Sequence, residues 1–443
     1  MDVTVTDSVL VKTVKSTPHY QLWVSNIDLV MVRFHSAVAY IYRRPPNGDS
    51  DHVAQILRDA LSKVLVHFYP LAGRLIVDAS GRIAVDCNGE GALFVEAVTE
   101  STIDDFGDFT SPSQVTTLVP SASYENGFTK SPLLMVQELQ VTKFKCGGVA
   151  LGTAIQHILS DGASSLHFVN SWCDVARGLQ IHLLPQLDRS PLRARIPPSV
   201  SVSHQEFAPP PTLLHQEKDS DNLILHEEAN KVSFGRFNLS KEQLNALRDE
   251  ASENPVNKTY SMYIVLAAHI WKCCTIARGL QEKQRCKLYI PVDGRDRLCR
   301  PLLPRGYFGN AIFMATPIDI AGEIVSNPLW YTAEKIHESI AKMDDAYLRS
   351  ELDFLELQPD LNAVIRTNDM FKCPNMSIIS WTRLPFYEAD FGWGRPTVVG
   401  PAGNPPDGLC RILPIQTTDG SVSIDLSLLK NHMVKFGKLL YEF

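Results

Sequence analysis

His157 and Asp161, set as H-x-x-x-D, are the residues of this 443-residue chain whose types and spacing first invite chemistry. A neutral imidazole, with an ordinary pKa of about 6.5, can take a proton from a hydroxyl or amine at neutral pH and hand it on to a leaving group. General-base help of this kind is typically worth about 10²- to 10⁴-fold in rate. An activated-serine relay is the alternative chemistry for a His and an Asp, but the chain contains no G-x-S-x-G to supply the nucleophile. Two common residues at one spacing also recur by chance, so a hydrogen-bonded structural His157 and a helix-capping Asp161 are equally open on these residues alone.

The elements around the pair decide whether it can work. Residues 149–155 form an apolar, strand-like run that begins after the breaker pair Gly147-Gly148. From Gly162 onward Leu166, Phe168, Val169, Trp172, Val175 and Ala176 fall at helical spacing, and Ser160 or Asp161 can cap that helix. His157 therefore stands at a strand-to-helix junction. Such a junction is held by packed elements on both sides and leaves its own side chains free to face a cleft.

The same residues carry a family resemblance. His157 to Gly162 reads HxxxDG, and Asp390 to Gly394 reads DFGWG. Between and before them stand HFYPLAGR (67–74), CNGEGALF (87–94), DDFGDF (104–109), YFGN (307–310) and YLRS (347–350). Over nearly its whole length the chain resembles the BAHD acyl-CoA-dependent acyltransferases of plants, and within them the hydroxycinnamoyl-CoA shikimate/quinate hydroxycinnamoyltransferases. That resemblance implies an α/β fold of mixed sheets with flanking helices. It also implies two similar-sized, chloramphenicol-acetyltransferase-like domains with an interdomain channel.

Several roles follow from the resemblance. His157 becomes the base, and the indole N–H of Trp381 the donor to the thioester oxyanion, with a plain core tryptophan as the other reading. Asp161 pairs with Arg295 of Asp293-Gly294-Arg295 to fix the loop carrying His157, with Gly162 beside it. Asp390, Gly392, Trp393 and Gly394 form a structural turn, in which the glycines serve a tight bend and Asp390 is expected to pair with an arginine. Thr259, Ser261 and Asp293 lie where CoA binds. Arg366 matches the arginine that grips an acceptor carboxylate, a task suited to a guanidinium fork, and Ser36, Val38, Tyr40 and Ile379 match acceptor-pocket positions.

Val38 and Ile379 depart from the resemblance, standing where shikimate-using members tend to carry Ser and Thr. Two hydroxyls have become methyl groups, which weakens the polar grip on a polyhydroxylated ring. The expected reaction is hydroxycinnamoyl transfer from CoA to shikimate or quinate. Another carboxylate-bearing or aromatic acceptor, such as hydroxyphenyl-lactate, remains open, as does an inactive binding homologue. No cofactor beyond the CoA substrate and no metal is implied.

Size and charge agree with a soluble enzyme of two domains. At 49.4 kDa the chain exceeds one ordinary core, and 44% apolar residues suffice for two. A formal charge of −7 argues against nucleic acid as a partner. The N-terminus lacks a signal-peptide pattern, no run approaches a membrane span, and nine cysteines without C-x-x-C spacing suit a reduced compartment. A cytoplasmic monomer is the expectation. Residues 1–196 form an N-terminal domain and 232–443 a C-terminal one. The Pro-rich stretch 197–231 forms a crossover with little to bury. Past it, a strand over 232–237 leads to Ser240-x-x-Gln243, the spacing of a capping box.

Overall fold

The computed structural model describes residues 3–43, 52–106, 115–119, 137–144, 148–214, 231–255, 258–415 and 419–443. Parts of two expected features, 107–109 of DDFGDF and 215–230 of the crossover, lie outside the described residues.

The first half is organised by strands β1 (Val3–Val11), β3 (His35–Tyr42), β6 (Ala92–Thr99), β7 (Gln137–Phe144) and β8 (Val149–Gln156). They form a mixed sheet in the order β1-β6-β7-β8-β3, while β2 (Gln21–Trp23), β4 (Arg74–Val77) and β5 (Ile83–Asp86) make a small sheet beside it. Every residue of β8 is buried, which is why it reads as an unbroken apolar run and not as an alternating one. One face of the sheet presents Tyr40, Tyr42 and Leu151 to helices α2 (Val53–Val64) and α3 (Gly162–Ala176). The opposite face packs Ala39, Ile41 and Ala150 on Val115, Leu118 and Val119.

The second half repeats the principle with β9 (Val232–Leu239), β10 (Arg285–Asp293), β11 (Ile312–Ala315), β12 (Ile318–Ile320), β13 (Met376–Ser380), β15 (Leu409–Pro414) and β16 (Val422–Leu429). Their order is β11-β10-β13-β15-β16-β9, with β12 on β10. Helices α4 (Lys241–Ser252), α5 (Met262–Arg278), α6 (Ala321–Ser326), α7 (Leu329–Ala341), α8 (Asp345–Glu356) and α9 (Lys430–Leu439) accompany it. Helix α5 is apolar nearly all round and is correspondingly buried nearly all round. The expected capping box is present at α4, where Ser240 and Gln243 satisfy each other's backbone N–H. No described helix is long and apolar enough to cross a membrane.

The halves are not closed units. Strand β14 (Val398–Pro401) leaves the second half and pairs antiparallel with β3, so the first sheet is completed by residues from beyond the crossover. In exchange the helical turn α1 (Asn26–Leu29) and the residues after it put Ile27, Val30 and Met31 into the second core. A division at 197–231 therefore needs correcting at both ends, because chain position and packing disagree. The crossover also buries more than its composition implied. His204 and Glu206 are buried, and Lys287 of β10 donates to the carbonyls of Gln205 and Ala208.

The DFGWG turn precedes β14 and is braced on the first half. Phe391 meets the Trp172 ring edge-on at 4.7 Å, Trp393 meets Tyr42 at 5.9 Å, and the Tyr42 hydroxyl donates to the Ala389 carbonyl. Asp390 pairs with no arginine among the described residues. Its Oδ1 accepts the N–H groups of Gly392 and Gly394 at 2.8 and 2.9 Å, and the nearby Arg395 pairs with Glu388 instead. This inward use of the carboxylate needs both glycines at positive φ, 106° and 97°. Gly394→Ala is expected to cost about 1–2 kcal/mol from the left-handed backbone alone, since a Cβ there would meet nothing within 4 Å. An unchanged denaturation midpoint in that variant would contradict this account of the turn.

Candidate active site

His157 follows the last residue of β8. Its N–H donates to the Phe34 carbonyl at 3.1 Å and its carbonyl accepts from Asn310 Nδ2 at 2.8 Å, so the backbone is held from two sides. The ring is half-buried, with its edge toward Phe34. Nδ1 is buried without a hydrogen-bond partner, whereas Nε2 retains solvent access. Burial lowers the imidazole pKa below its ordinary value. Its own backbone carbonyl and Asp161 oppose the shift, and the positive charge of Arg366 adds to it. The outcome is a neutral ring with one nitrogen facing outward.

Asp161 is the N-cap of α3, accepting the Ser164 N–H at 3.0 Å. It also receives Arg295 through a fork, Nη1 to Oδ2 at 2.8 Å and Nη2 to Oδ1 at 2.9 Å, and the Ala311 N–H at 3.0 Å. Burial by itself would raise its pKa, but Arg295 and these N–H donors outweigh that and hold the carboxyl below the usual range. Ser164 extends the arrangement, since its hydroxyl lies 2.9 Å from Arg295 Nη2 and accepts the Gly309 N–H at 3.1 Å. Gly162 completes the junction, because a Cβ there would sit 3.1 Å from Leu384. Every oxygen of Asp161 is thus committed away from His157, and its role is to fix the loop.

A second ion pair, which sequence reasoning missed, lies behind the same loop. Asp28 and Arg189 are both fully buried, with Nη1 2.8 Å from Oδ2, and Arg189 Nη2 donates to the Leu159 carbonyl at 2.8 Å. Asp28 Oδ1 accepts both the backbone N–H and the Nδ2 of Asn310 at 2.9 Å. Asn310 in turn donates to the carbonyls of His157 and Ile158. Ser25-x-x-Asp28 is legible as a capping box, and it forms one. The ion pair was not legible, because Arg189 is brought to it only by the fold.

Other expected site residues are placed unevenly. Trp381 follows the last residue of β13, half-buried, with its ring 4.9 Å from that of Phe386, and its indole N–H donates to no group among the described residues. Ser36, Val38 and Tyr40 share one face of β3. Val38 packs at the edge of the first core, but Tyr40 is 1% exposed and belongs to that core beneath the site. Ile379 sits apart from them, against Tyr289, Phe371 and Leu409. Arg366 is buried, donates to the Ile312 carbonyl at 3.0 Å and lies 3.6 Å from Glu351.

Thr259 and Ser261 precede α5, exposed, and Ser261 caps it. Asp293 accepts from Arg295 at 2.9 and 3.1 Å, which ties that position to the Asp161 pair. Among the described residues His204, Glu206 and Glu351 are close enough together to suggest metal ligands. Both His204 nitrogens and both Glu206 oxygens are already taken by Ser350, Tyr347 and each other. A cavity of about 270 Å³ near Leu213, Gln284 and His432 is lined by none of the expected site residues.

Asp161→Ala would leave Arg295 without its buried partner and α3 without its cap. Breaking a buried pair on one side typically costs about 3–5 kcal/mol. Asp161→Asn keeps the cap and should lose less. A wild-type denaturation midpoint in Asp161→Asn would show that the charge contributes nothing.

A sequence model of the Transferase family matches residues 1–442. The chain is similar to shikimate O-hydroxycinnamoyltransferase of Nicotiana tabacum, 48% identical over the whole of both chains. It is 45% identical, again over both full lengths, to hydroxycinnamoyl-CoA:5-hydroxyanthranilate N-hydroxycinnamoyltransferase of Avena sativa. Among solved structures it resembles vinorine synthase, with a TM-score of 0.71 and 26% identity, covering 98% of this chain and 96% of that one. The chain belongs to the Transferase family of BAHD acyltransferases, and it is an acyl-CoA-dependent enzyme with that family's two-domain fold.

Proposed function

We propose that the enzyme transfers a hydroxycinnamoyl group from its CoA thioester to a hydroxyl of shikimate or quinate, with His157 as general base and both substrates bound together. The observation that carries this reading is the state of the imidazole. Its pKa is lowered by burial, its Nε2 keeps solvent access, and neither ring nitrogen hydrogen-bonds to a Ser, Thr or Cys among the described residues. A base with no protein nucleophile beside it acts on the acceptor directly.

In this reading Nδ1 keeps its hydrogen beside the residue's own carbonyl, and the Nε2 lone pair takes the acceptor hydroxyl proton. The acceptor oxygen attacks the thioester carbonyl, and the charge that develops on the carbonyl oxygen is met by the free indole N–H of Trp381. Collapse of that intermediate expels the CoA thiolate, to which the imidazolium returns the proton. CoA is a substrate, held near Thr259, Ser261 and Asp293, and no further cofactor enters. The two substrates approach through the seam between the halves. The protein works as a cytoplasmic monomer, in keeping with its free described cysteines.

Arg366 supplies the acceptor's anchor. The two relatives are named for shikimate and 5-hydroxyanthranilate, different skeletons that share a carboxylate. Val38 and Ile379 favour a second reading of the acceptor, in which a less hydroxylated, aromatic carboxylate replaces the shikimate ring. Competition among shikimate, quinate and aromatic carboxylates for p-coumaroyl-CoA separates the readings.

His157→Ala should lower kcat by about 10²- to 10⁴-fold with CoA affinity nearly intact. Retention of a tenth of the rate would remove His157 from the role. The neutral ring is the active form, and its pKa is lowered from 6.5. Activity should therefore hold as pH falls to that value and decline only below it. An acid limb centred above 6.5 would contradict the lowered pKa.

A further inference from the structure

Arg411 stands on β15, directly beside Ile379 of the parallel strand β13. In-register parallel partners leave a sheet on the same face. Trp381, two residues beyond Ile379 and still joined to β15 through its N–H to the Ile412 carbonyl, leaves on that face too. The Arg411 guanidinium carbon lies 6.0 Å from the centroid of the Trp381 ring, and Nη1 reaches the Gly403 carbonyl at 3.4 Å. Gly403 follows closely on β14, where Pro401 pairs with Val38, and the intervening Ala402 donates to the Ala37 carbonyl. Val38, Ile379 and Trp381, all positions of the proposed acceptor and oxyanion site, therefore bracket one cation.

That cation has no close counter-charge. Asp425 of β16 pairs with it across the strands, but both Asp425 oxygens are taken by a fork from Arg236, at 2.6 and 2.7 Å. No ion pair joins Arg411 to a carboxylate among the described residues. Burial lowers its pKa to about 10, with Asp425 opposing and Arg236 adding to the shift, so the group is charged at neutral pH. One long bond to a carbonyl, and one ring face at the outer limit of a cation–π contact, leave most of its N–H donors unspent. Arg411 is half-buried and none of its nitrogens is both sealed and unbonded, so the unused ones keep solvent access. A carboxylate matches a guanidinium in this condition, because it accepts two parallel N–H bonds and supplies the missing charge.

We propose that Arg411 is a second anion-binding residue of the acceptor pocket, so that the acceptor class completing this site is a hydroxy acid with two carboxylates, one held by Arg366 and the other by Arg411. This rests on the reading of His157 as base and Arg366 as acceptor anchor. The reaction is unchanged: the acceptor oxygen bonds to the thioester carbon, the C–S bond breaks, and the hydroxyl proton passes through His157 to the CoA thiolate. Val38 and Ile379 point the same way. They set methyl groups on the walls where ring hydroxyls would need partners, and polar recognition falls to the two guanidinium groups.

The test uses the full-length enzyme, p-coumaroyl-CoA and acceptors matched but for one carboxylate, malate against lactate and glucarate against gluconate, with shikimate and quinate alongside. In the wild type kcat/KM should favour the diacid in at least one pair by about tenfold or more, the scale of a charge-assisted hydrogen bond. Arg411→Gln should collapse that ratio, mainly by raising the diacid KM, and Arg411→Lys, which keeps the charge without the fork, should retain part of it. The wild-type comparison needs no variant to fold. Transfer to shikimate or quinate with no diacid preference in either pair overturns the proposal and leaves the general acceptor reading standing. An undiminished ratio in Arg411→Gln, or equal loss in the Gln and Lys variants, also overturns it, as does a fall in kcat common to all acceptors or a change confined to the KM of the CoA donor. Absence of ester with every acceptor would instead remove the acceptor reading, and this proposal with it.

Discussion

Most of this structure depends on a guanidinium from one half of the chain closing on a carboxylate from the other. Asp161 caps the helix that follows the His157 loop, and Arg295 follows the last residues of β10 in the second sheet. The fork makes two parallel charge-assisted hydrogen bonds, which restrict rotation as well as distance. Because the carboxylate is also bonded to the Ser164 and Ala311 N–H groups, the pair is satisfied on both sides and the loop has one position. His157 inherits that position through four residues of backbone. It needs no contact with Asp161 to be placed by it.

Buried charge recurs around the loop, and its arrangement differs from place to place. Asp161–Arg295 is a close pair surrounded by donors and acceptors, which is the condition under which removing charges from water is tolerable, and Asp28–Arg189 is equally close, at 2.8 Å, with Asp28 further bonded to Asn310. Glu351–Arg366 is longer and lacks hydrogen bonds on the facing atoms. The first two pairs are structural braces on either side of the His157 backbone. The third is a loosely engaged pair within electrostatic reach of the imidazole, since the Arg366 charge contributes to lowering the His157 pKa.

The halves are bound by reciprocal insertion more than by a flat interface. Strand β14 completes the first sheet, the DFGWG turn before it packs on Trp172 and Tyr42, and α1 gives apolar residues to the second core. Each insertion ends close in sequence to a site residue. Trp381 precedes the turn, and Val30, next to α1, accepts the Arg366 N–H. Motion between the halves would therefore have to unpack core residues.

Local signals in the chain determined a good deal. The apolar run of β8, the helical spacing of α3 with its Asp161 cap, the capping box at Ser240 and the paired glycines around Trp393 were all legible. Each is a short-range consequence of backbone sterics, hydrogen bonding or periodicity. The pairing of Asp161 with Arg295 was reached through the family resemblance, and the geometry agrees with it. Tertiary structure alone decided the partners that are distant in sequence. It turned Asp390 onto its own turn, sank Tyr40 into the core, sealed Glu206 in a crossover that read as solvated, and set Arg189 on Asp28 and Glu351 on Arg366. No local pattern encodes such pairs, because a charge is brought beside its counter-charge by the packing of whole sheets and helices, and only then does burial make that pairing obligatory.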